Sequence, residues 1–113
     1  MKLIIAGSRS INIGAVNIAN IVSLCGLEYS TQIVSGEANG VDIDAKVFAH
    51  DWEYDYKGFP VKKEDWETLG KKAGPLRNKA MAEYADGLLL IWDGESRGSK
   101  NMKEQMLKLN KPV

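Results

Sequence analysis

The sequence contains very few of the residues that build disulfide frameworks or metal centres. Cys25 is its one cysteine, so an intramolecular disulfide cannot form. His50 is its one histidine, which excludes a cage of cysteine and histidine ligands around zinc. We therefore expect a cytoplasmic protein with no metal site and no cofactor.

The sequence also lacks a long apolar run and an excess of charge. No apolar stretch approaches the roughly 20 residues that a membrane helix needs, and the N-terminal apolar run is too short for a signal peptide. Fifteen basic residues balance fifteen acidic ones, so the formal net charge is zero. Binding to the backbone of duplex nucleic acid usually requires a basic excess. We therefore expect neither a membrane nor a nucleic acid as the partner.

A length of 113 residues, of which 44% are hydrophobic and 27% charged, suits one globular domain covering residues 1–113. Short apolar runs typical of buried strands alternate with segments of helical periodicity. The predicted strands cover residues 2–6, 31–35, 52–58 and 86–92, and a terminal strand begins at residue 111.

Helices are predicted between these strands. One ends near Gly26, one begins near Gly40, one has Pro75 at its first position, and one contains Met102 and Met106. Residues 59–72 have no clear period and are predicted as a loop. In the helix that begins at Pro75, the predicted apolar face consists of Leu76, Ala80 and Tyr84.

Strands that alternate with helices predict an α/β fold, a Rossmann-like doubly wound parallel sheet of about five strands with the order 3-2-1-4-5. In that order the direction of winding reverses between the first and fourth strands. Ligands bind to such sheets outside the carboxyl ends of the strands at the reversal. The sequence therefore predicts a binding crevice formed by the loops that follow the first, second and fourth strands.

Those loops are rich in glycine, serine and arginine. Small residues before a helix N-terminus let a phosphate approach the backbone amides, and arginine offers two parallel donors to an anion. Neither a P-loop nor a dinucleotide fingerprint occurs, so the alternative is that the glycines only form turns and the arginines are solvated. The predicted ligand-binding residues are Gly7, Ser8, Arg9, Ser35, Gly36, Arg77, Asn78, Asp93, Ser96, Arg97, Gly98 and Ser99.

Arg77 is singled out by its predicted position. With Pro75 at the first position of a helix, Arg77 falls in the first turn, where a positive charge opposes the helix dipole. Stability alone therefore does not account for it. Arg77 either binds a phosphate or carboxylate, or it forms a salt bridge with Glu83 or Asp86.

Other side chains are weaker candidates. Glu37 and Glu95 are the candidate general bases if the protein is an enzyme, a question that the sequence leaves open. Asp42 is expected in the first turn of a helix, where its charge stabilises the dipole. Trp66 is either part of the core or a platform on which a base stacks.

Several segments, taken in order, resemble the YspA/YpsA-related branch of the SLOG superfamily. They are AGSR at 6–9, IVSGEANGVD at 33–42, FP with DW at 59–66, GKKAGPLRNKAM at 70–81, ADGLLLIWDG at 85–94 and SRGSKNM at 96–102. That superfamily is Rossmann-like and includes the Lonely-guy phosphoribohydrolases and DNA-processing protein A. The resemblance implies a nucleotide or nucleotide-derived ligand, a homo-oligomer, and a role as a sensor or sequestering module in conflict between bacteria and phages.

Two departures limit what the resemblance implies. Met102 stands where the Lonely-guy enzymes have their catalytic glutamate, so hydrolysis of a nucleotide N-glycosidic bond would need Glu37 or Glu95 instead. Asn39 stands where the DNA-processing relatives tend to have arginine, which argues against single-stranded nucleic acid. The hydrolase and the single-stranded nucleic-acid binder remain the alternatives to a nucleotide-binding module.

Overall fold

Helices separate the strands along the chain, as predicted. The computed structural model describes residues 1–38 and 40–113. Its strands are β1 (Lys2–Gly7), β2 (Gln32–Ser35), β3 (Asp55–Gly58) and β4 (Gly87–Ile91). Its helices are α1 (Ala15–Leu24), α2 (Val41–Asp51), α3 (Lys63–Leu69), α4 (Ala73–Tyr84) and α5 (Arg97–Lys108), with a 3-10 turn at Gly70–Lys72.

The four strands form one parallel sheet with the order β3-β2-β1-β4. The predicted Rossmann-like α/β fold, and the reversal of winding between β1 and β4, are confirmed. The predicted fifth strand is wrong, because residues 111–113 form no strand. The amide of Leu88 donates one hydrogen bond of 3.0 Å to the carbonyl of Pro112. Proline has no amide to return, so a ladder does not follow.

The sheet is covered on both faces, and alternate residues of β1 enter two separate cores. Leu3 and Ile5 pack with α1 and α2, whereas Ile4 and Ala6 pack with α4 and α5. All four side chains are buried, which is why β1 is a continuous apolar run in the sequence. Burial of both faces fixes the position of β1 within the sheet. It therefore also fixes the position of the turn that follows β1.

The segment predicted as a loop at 59–72 contains α3 and the 3-10 turn, so that prediction is wrong. The first turn of α3 contains Glu64 and Asp65, whose negative charges favour a helix N-terminus. The described helix contains no buried residue, and for this reason it has no apolar periodicity in the sequence.

Helix α4 begins at Ala73, directly after the 3-10 turn, and not at Pro75. Pro75 is its third residue, which the helix tolerates because the first amides have no intrahelical acceptor. Leu76 on the predicted apolar face is half exposed, and the helix instead buries Met81 and Ala82. Arg77 consequently lies in the second turn of α4 and not in the first.

Candidate functional site

A cavity of about 120 Å³ opens where the direction of winding reverses, between the carboxyl end of β1 and the N-terminus of α5. We call it the central cavity. Its lining consists of Ala6, Gly7, Arg9, Ala38, Asp42, Arg77, Asn78, Met81, Ser96, Gly98, Ser99 and Met102. The position agrees with the general rule for ligand sites in open α/β sheets.

The central cavity brings together many of the residues predicted to bind a ligand. These are Gly7, Arg9, Arg77, Asn78, Ser96, Gly98 and Ser99. The remaining predicted residues do not line it; they are Ser8, Ser35, Gly36, Asp93 and Arg97, together with the weaker candidates Glu37 and Glu95. Asn39 lies outside the described residues. That any of these groups binds a ligand stays a prediction.

Ser8 and Asp93 shape the loop that precedes α5. Ser8 is buried, and its Oγ accepts a hydrogen bond of 3.1 Å from the amide of Asp93. The Asp93 carboxylate accepts the amides of Glu95 at 2.8 Å and Ser96 at 3.0 Å. These two amides lower the pKa of Asp93 below its ordinary value. Both side chains are therefore occupied by the fold, although the sequence suggested that they contact a ligand.

Ser35 and Gly36 fix the turn at the end of β2. The Oγ of Ser35 donates to the carbonyl of Asp42 at 2.9 Å and accepts the amide of Glu37 at 3.1 Å. A Cβ atom at Gly36 would lie 2.6 Å from Nη1 of Arg77. A side chain at Gly36 would therefore displace the guanidinium, which packs directly on the backbone here.

The guanidinium of Arg77 binds the backbone of two loops. Its Nη1 donates to the carbonyls of Gly36 at 2.6 Å and Phe59 at 3.2 Å, and its Nε donates to Oδ1 of Asn78 at 3.0 Å. In the described part of the chain it forms no salt bridge with Glu83 or with Asp86, so that alternative is wrong. Arg77 therefore connects α4 to the ends of β2 and β3 while it also lines the cavity.

Asn78 performs a similar task towards α5. It is buried, and its Nδ2 donates to the carbonyl of Gly98 at 3.3 Å and to Oδ1 of Asn101 at 3.1 Å. These hydrogen bonds hold the first turn of α5 against α4. Asn78 thereby sets the distance between the two helices that enclose the cavity.

Asp42 is a cavity residue that the sequence argument interpreted only as a favourable charge at a helix start. It is 5% exposed, and its Oδ2 accepts the amide of Ala38 at 3.3 Å, outside α2. Burial raises its pKa to about 6, against the opposing effects of the Ala38 amide and the charge of Arg77. The available signal was its position at the end of the IVSGEANGVD segment.

Ser99 is the polar group of the cavity that the fold leaves without a partner. It is 4% exposed and lies in the first turn of α5, yet its Oγ has no hydrogen-bond partner among the described residues. The neighbouring amides belong to a helix N-terminus, where backbone donors lack intrahelical acceptors. Ser99 and this turn therefore present several donors together at one end of the cavity.

Gly98 lies beside Ser99 and is not required by the backbone. It is absent from the glycines with positive φ, and a Cβ atom there would meet no heavy atom within 4 Å. The backbone at this position therefore does not require glycine. Space beside the helix N-terminus is open at this residue.

The remaining charged candidates differ in what they contact. Arg9 is exposed, lines the cavity and forms no ion pair in the residues that the structure describes, whereas Arg97 is exposed outside the lining. Glu37 pairs with Nζ of Lys46 at 2.6 Å, and Glu95 is exposed outside the cavity. Neither candidate general base therefore lines the central cavity.

Comparison with known proteins gives one relative by sequence. Over 90 residues, which are 75% of this chain and 70% of the relative, the sequence is 38% identical to the gene 61 protein of Mycobacterium phage D29. The chain belongs to the family of this phage protein. No protein-family model matches the chain.

Comparison with solved structures gives a match to DNA processing protein A (DprA) of Streptococcus pneumoniae. The TM-score is 0.77 at 22% sequence identity, and the match covers 97% of this chain and 48% of the DprA chain. The chain thus spans about half the length of DprA. This match confirms the Rossmann-like α/β fold that the sequence resemblance implied.

The described residues contain no candidate for a membrane-spanning helix or for a metal centre. No described helix is both long and apolar enough to cross a membrane. Within residues 1–38 and 40–113, no group of three or more histidine, cysteine, aspartate or glutamate side chains is arranged to hold a metal ion.

Proposed function

We propose that the protein binds the phosphate and sugar of a nucleotide or nucleotide-derived ligand in the central cavity. The observation that carries this function is the buried Oγ of Ser99, which has no partner in the described part of the chain. Buried polar groups are nearly always hydrogen-bonded, so an unpartnered one beside a cavity indicates a ligand. At the N-terminus of a 12-residue helix, the ligand group that the dipole favours is an anion.

Arg9 supplies the positive charge for that anion. Its side chain lines the cavity without an ion pair in the described residues, while the guanidinium of Arg77 is already hydrogen-bonded to the carbonyls of Gly36 and Phe59. In this arrangement Arg9, Ser99 and the first-turn amides of α5 bind the phosphate. Arg77 holds the cavity in shape and screens the carboxylate of Asp42.

Asp42 determines which part of the ligand lies near it. An ionised carboxylate repels phosphate but accepts hydrogen bonds from hydroxyl groups. With a pKa of about 6, Asp42 is mostly ionised at neutral pH. We therefore assign Asp42 to a sugar hydroxyl and the α5 side of the cavity to the phosphate.

We propose binding without turnover. Glu95 lies outside the cavity lining, and the carboxylate of Glu37, beside the cavity, is already paired with Nζ of Lys46, so neither carboxylate is free to act as the general base for N-glycosidic cleavage. Kinship with a phage protein supports a cytoplasmic sensor or sequestering module of the YspA/YpsA-related branch in conflict between bacteria and phages. The single domain at residues 1–113 and its self-association also stay predictions.

The test is to place a side chain at Gly98 and measure the affinity for ribose 5-phosphate and adenosine 5′-monophosphate by calorimetry. Gly98→Val has room in the folded protein, so circular dichroism should be unchanged. We expect its affinity to fall about a hundredfold, because the valine occupies the approach to the α5 amides. Lys100→Ala, an exposed neighbour outside the cavity lining, is the matched control and should bind as the parent does. Equal affinity of Gly98→Val and parent would contradict the anion site.

A second candidate function is binding of single-stranded DNA, and the match to DNA processing protein A favours it. The zero net charge argues against it, but the fold likeness covers 97% of the chain. Fluorescence anisotropy with a labelled oligothymidylate at several salt concentrations distinguishes the two. For strand binding, the logarithm of the binding constant should fall by about 0.7 per phosphate contact for each tenfold rise in salt concentration. A lone nucleotide in the cavity should give a much smaller dependence on salt.

A further inference from the structure

The central cavity is too small for a whole nucleotide. Its volume is about 120 Å³. Pockets that enclose complete organic ligands are usually about 300–1,000 Å³. The cavity can therefore take a phosphate and part of a sugar, and the rest of the ligand must extend outside it.

A second cavity of about 130 Å³ lies directly beside the first. We call it the lateral cavity. It is lined by Arg9, Gly36, Glu37, Ala38, Pro60, Val61, Trp66 and Arg77. Arg9, Ala38 and Arg77 line both cavities, so the two cavities are adjacent.

The lateral cavity has an exposed aromatic ring at its edge. Trp66 on α3 is 43% exposed, and its Cη2 would lie 3.9 Å from a Cβ atom at Gly74. The ring is therefore supported by the first turn of α4 while it lines the cavity. Pro60 and Val61 add apolar surface next to it. Flat aromatic surface beside apolar groups and an arginine is the environment in which nucleobases stack.

We propose that the lateral cavity binds the nucleobase of the ligand by stacking on the indole ring of Trp66. Because the base and the phosphate belong to one ligand, this assignment rests on the proposed function above. The shared chemistry is a nucleobase, and its source is either a free nucleotide or one nucleotide of a single strand. Stacking is tolerant of base identity, since every base has a π-face.

Trp66→Ala, compared with Trp52→Ala, isolates the stacking contact. Trp52 is 44% exposed, packs on Phe48 at a ring-centroid distance of 5.4 Å, and lines neither cavity, so it is a matched control. Calorimetry with adenosine 5′-monophosphate should show a loss of affinity of tenfold to a hundredfold in Trp66→Ala. Ribose 5-phosphate, which has no base, should bind as tightly as to the parent. Trp66→Phe should keep most of the affinity for the nucleotide, and Trp52→Ala all of it.

The outcomes separate a failure of stacking from a failure of phosphate binding. Base stacking on Trp66 is contradicted if the parent binds ribose 5-phosphate and the nucleotide with equal affinity. It is also contradicted if Trp66→Ala loses affinity for both compounds equally. Neither outcome contradicts phosphate binding in the central cavity. If the parent binds neither compound, the proposed phosphate site in the central cavity is wrong. The proposed stacking of a free nucleotide on Trp66 is then wrong as well. Oligothymidylate binding that weakens in Trp66→Ala without detectable mononucleotide binding identifies a base within a strand as the source.

Discussion

The end of β2, which lies beside the central cavity, and the start of α5, which lines it, differ in how their polar atoms are hydrogen-bonded. At the end of β2, the buried hydroxyl of Ser35 both donates and accepts a hydrogen bond, and Arg77 binds the carbonyl of Gly36. At the start of α5, the buried hydroxyl of Ser99 has no partner among the described residues. The donors and acceptors at the end of β2 are therefore engaged in the fold, whereas the proposed function assigns those at the start of α5 to a ligand. Substitutions at the two ends should accordingly change stability and binding in different proportions.

The largest expected effect on stability is that of Arg77→Ala. It removes hydrogen bonds to Gly36 and Phe59 and leaves the buried Asp42 without its nearest positive charge. Urea denaturation should show a loss of about 2–4 kcal/mol in the free energy of unfolding. Arg97→Ala, which removes an exposed arginine outside the cavity lining, should change it by less than about 0.5 kcal/mol. An Arg77→Ala protein as stable as the parent would mean that the β2 end does not depend on this guanidinium.

Asp42 gives the next largest effect, and the size of that effect depends on pH. Burial raises its pKa from 3.8 to about 6, so the ionised form is less stable in the folded protein than in the unfolded chain. Its favourable contribution is therefore complete below pH 3.8 and is lost as the pH rises through about 6. Asp42→Asn should gain about 2–3 kcal/mol of unfolding free energy at pH 8 and nothing near pH 4.

Denaturation of Asp42→Asn at several pH values tests this dependence. Glu67→Gln changes an exposed carboxylate on α3 for which the structure gives no hydrogen bond, and it should follow the parent throughout. A gain in Asp42→Asn that is independent of pH would show that the amide simply packs better than the carboxylate. No gain at pH 8 would show that Arg77 and the Ala38 amide offset the burial completely.

The two buried serines give the most direct comparison between the end of β2 and the start of α5. The changes in stability expected from their substitution are the smallest. Ser99→Ala removes an unpartnered hydroxyl and should raise the free energy of unfolding by about 1 kcal/mol. Ser35→Ala breaks two hydrogen bonds and should lower the free energy of unfolding by about 1–2 kcal/mol. Ser99→Ala should nevertheless bind ribose 5-phosphate about tenfold more weakly. Denaturation and calorimetry on the same samples measure both quantities. A loss of stability in Ser99→Ala would mean that its hydroxyl is already satisfied in the free protein.

The sequence predicted the parts of the fold that depend on local pattern. Strands β1 and β4 are apolar runs, and the cavity follows from the strand order once the alternation with helices is recognised. Helix α3 could not be predicted in this way, because its described residues bury no apolar side chain and so impose no period. Local pattern identifies an element only where one of its faces is buried.

The roles of individual cavity residues depend on contacts that are distant along the chain. The two carbonyls bound by Arg77 are 41 and 18 residues away, so no local rule separates its role from that of Arg9. Asp42 has a first-turn position that suits any acidic residue, and its raised pKa arises only when the sheet and α4 close over it. Sequence therefore located the cavity more reliably than it assigned the atoms that a ligand would contact.

The glycines around the central cavity also determine how substitutions would be selected. A methyl group at Gly7 would lie 2.0 Å from the carbonyl oxygen of Ile91, and one at Gly40 would lie 2.6 Å from those of Ser8 and Arg9. Such variants fail in folding, before any ligand is encountered. A Cβ atom at Gly98 would meet no heavy atom of the described residues within 4 Å, so we expect a substitution there to leave the fold intact and to change binding. Conservation of glycine at Gly7 and Gly40 in homologous sequences would thus be explained by folding. Conservation of glycine at Gly98 would instead be explained by binding of the proposed ligand.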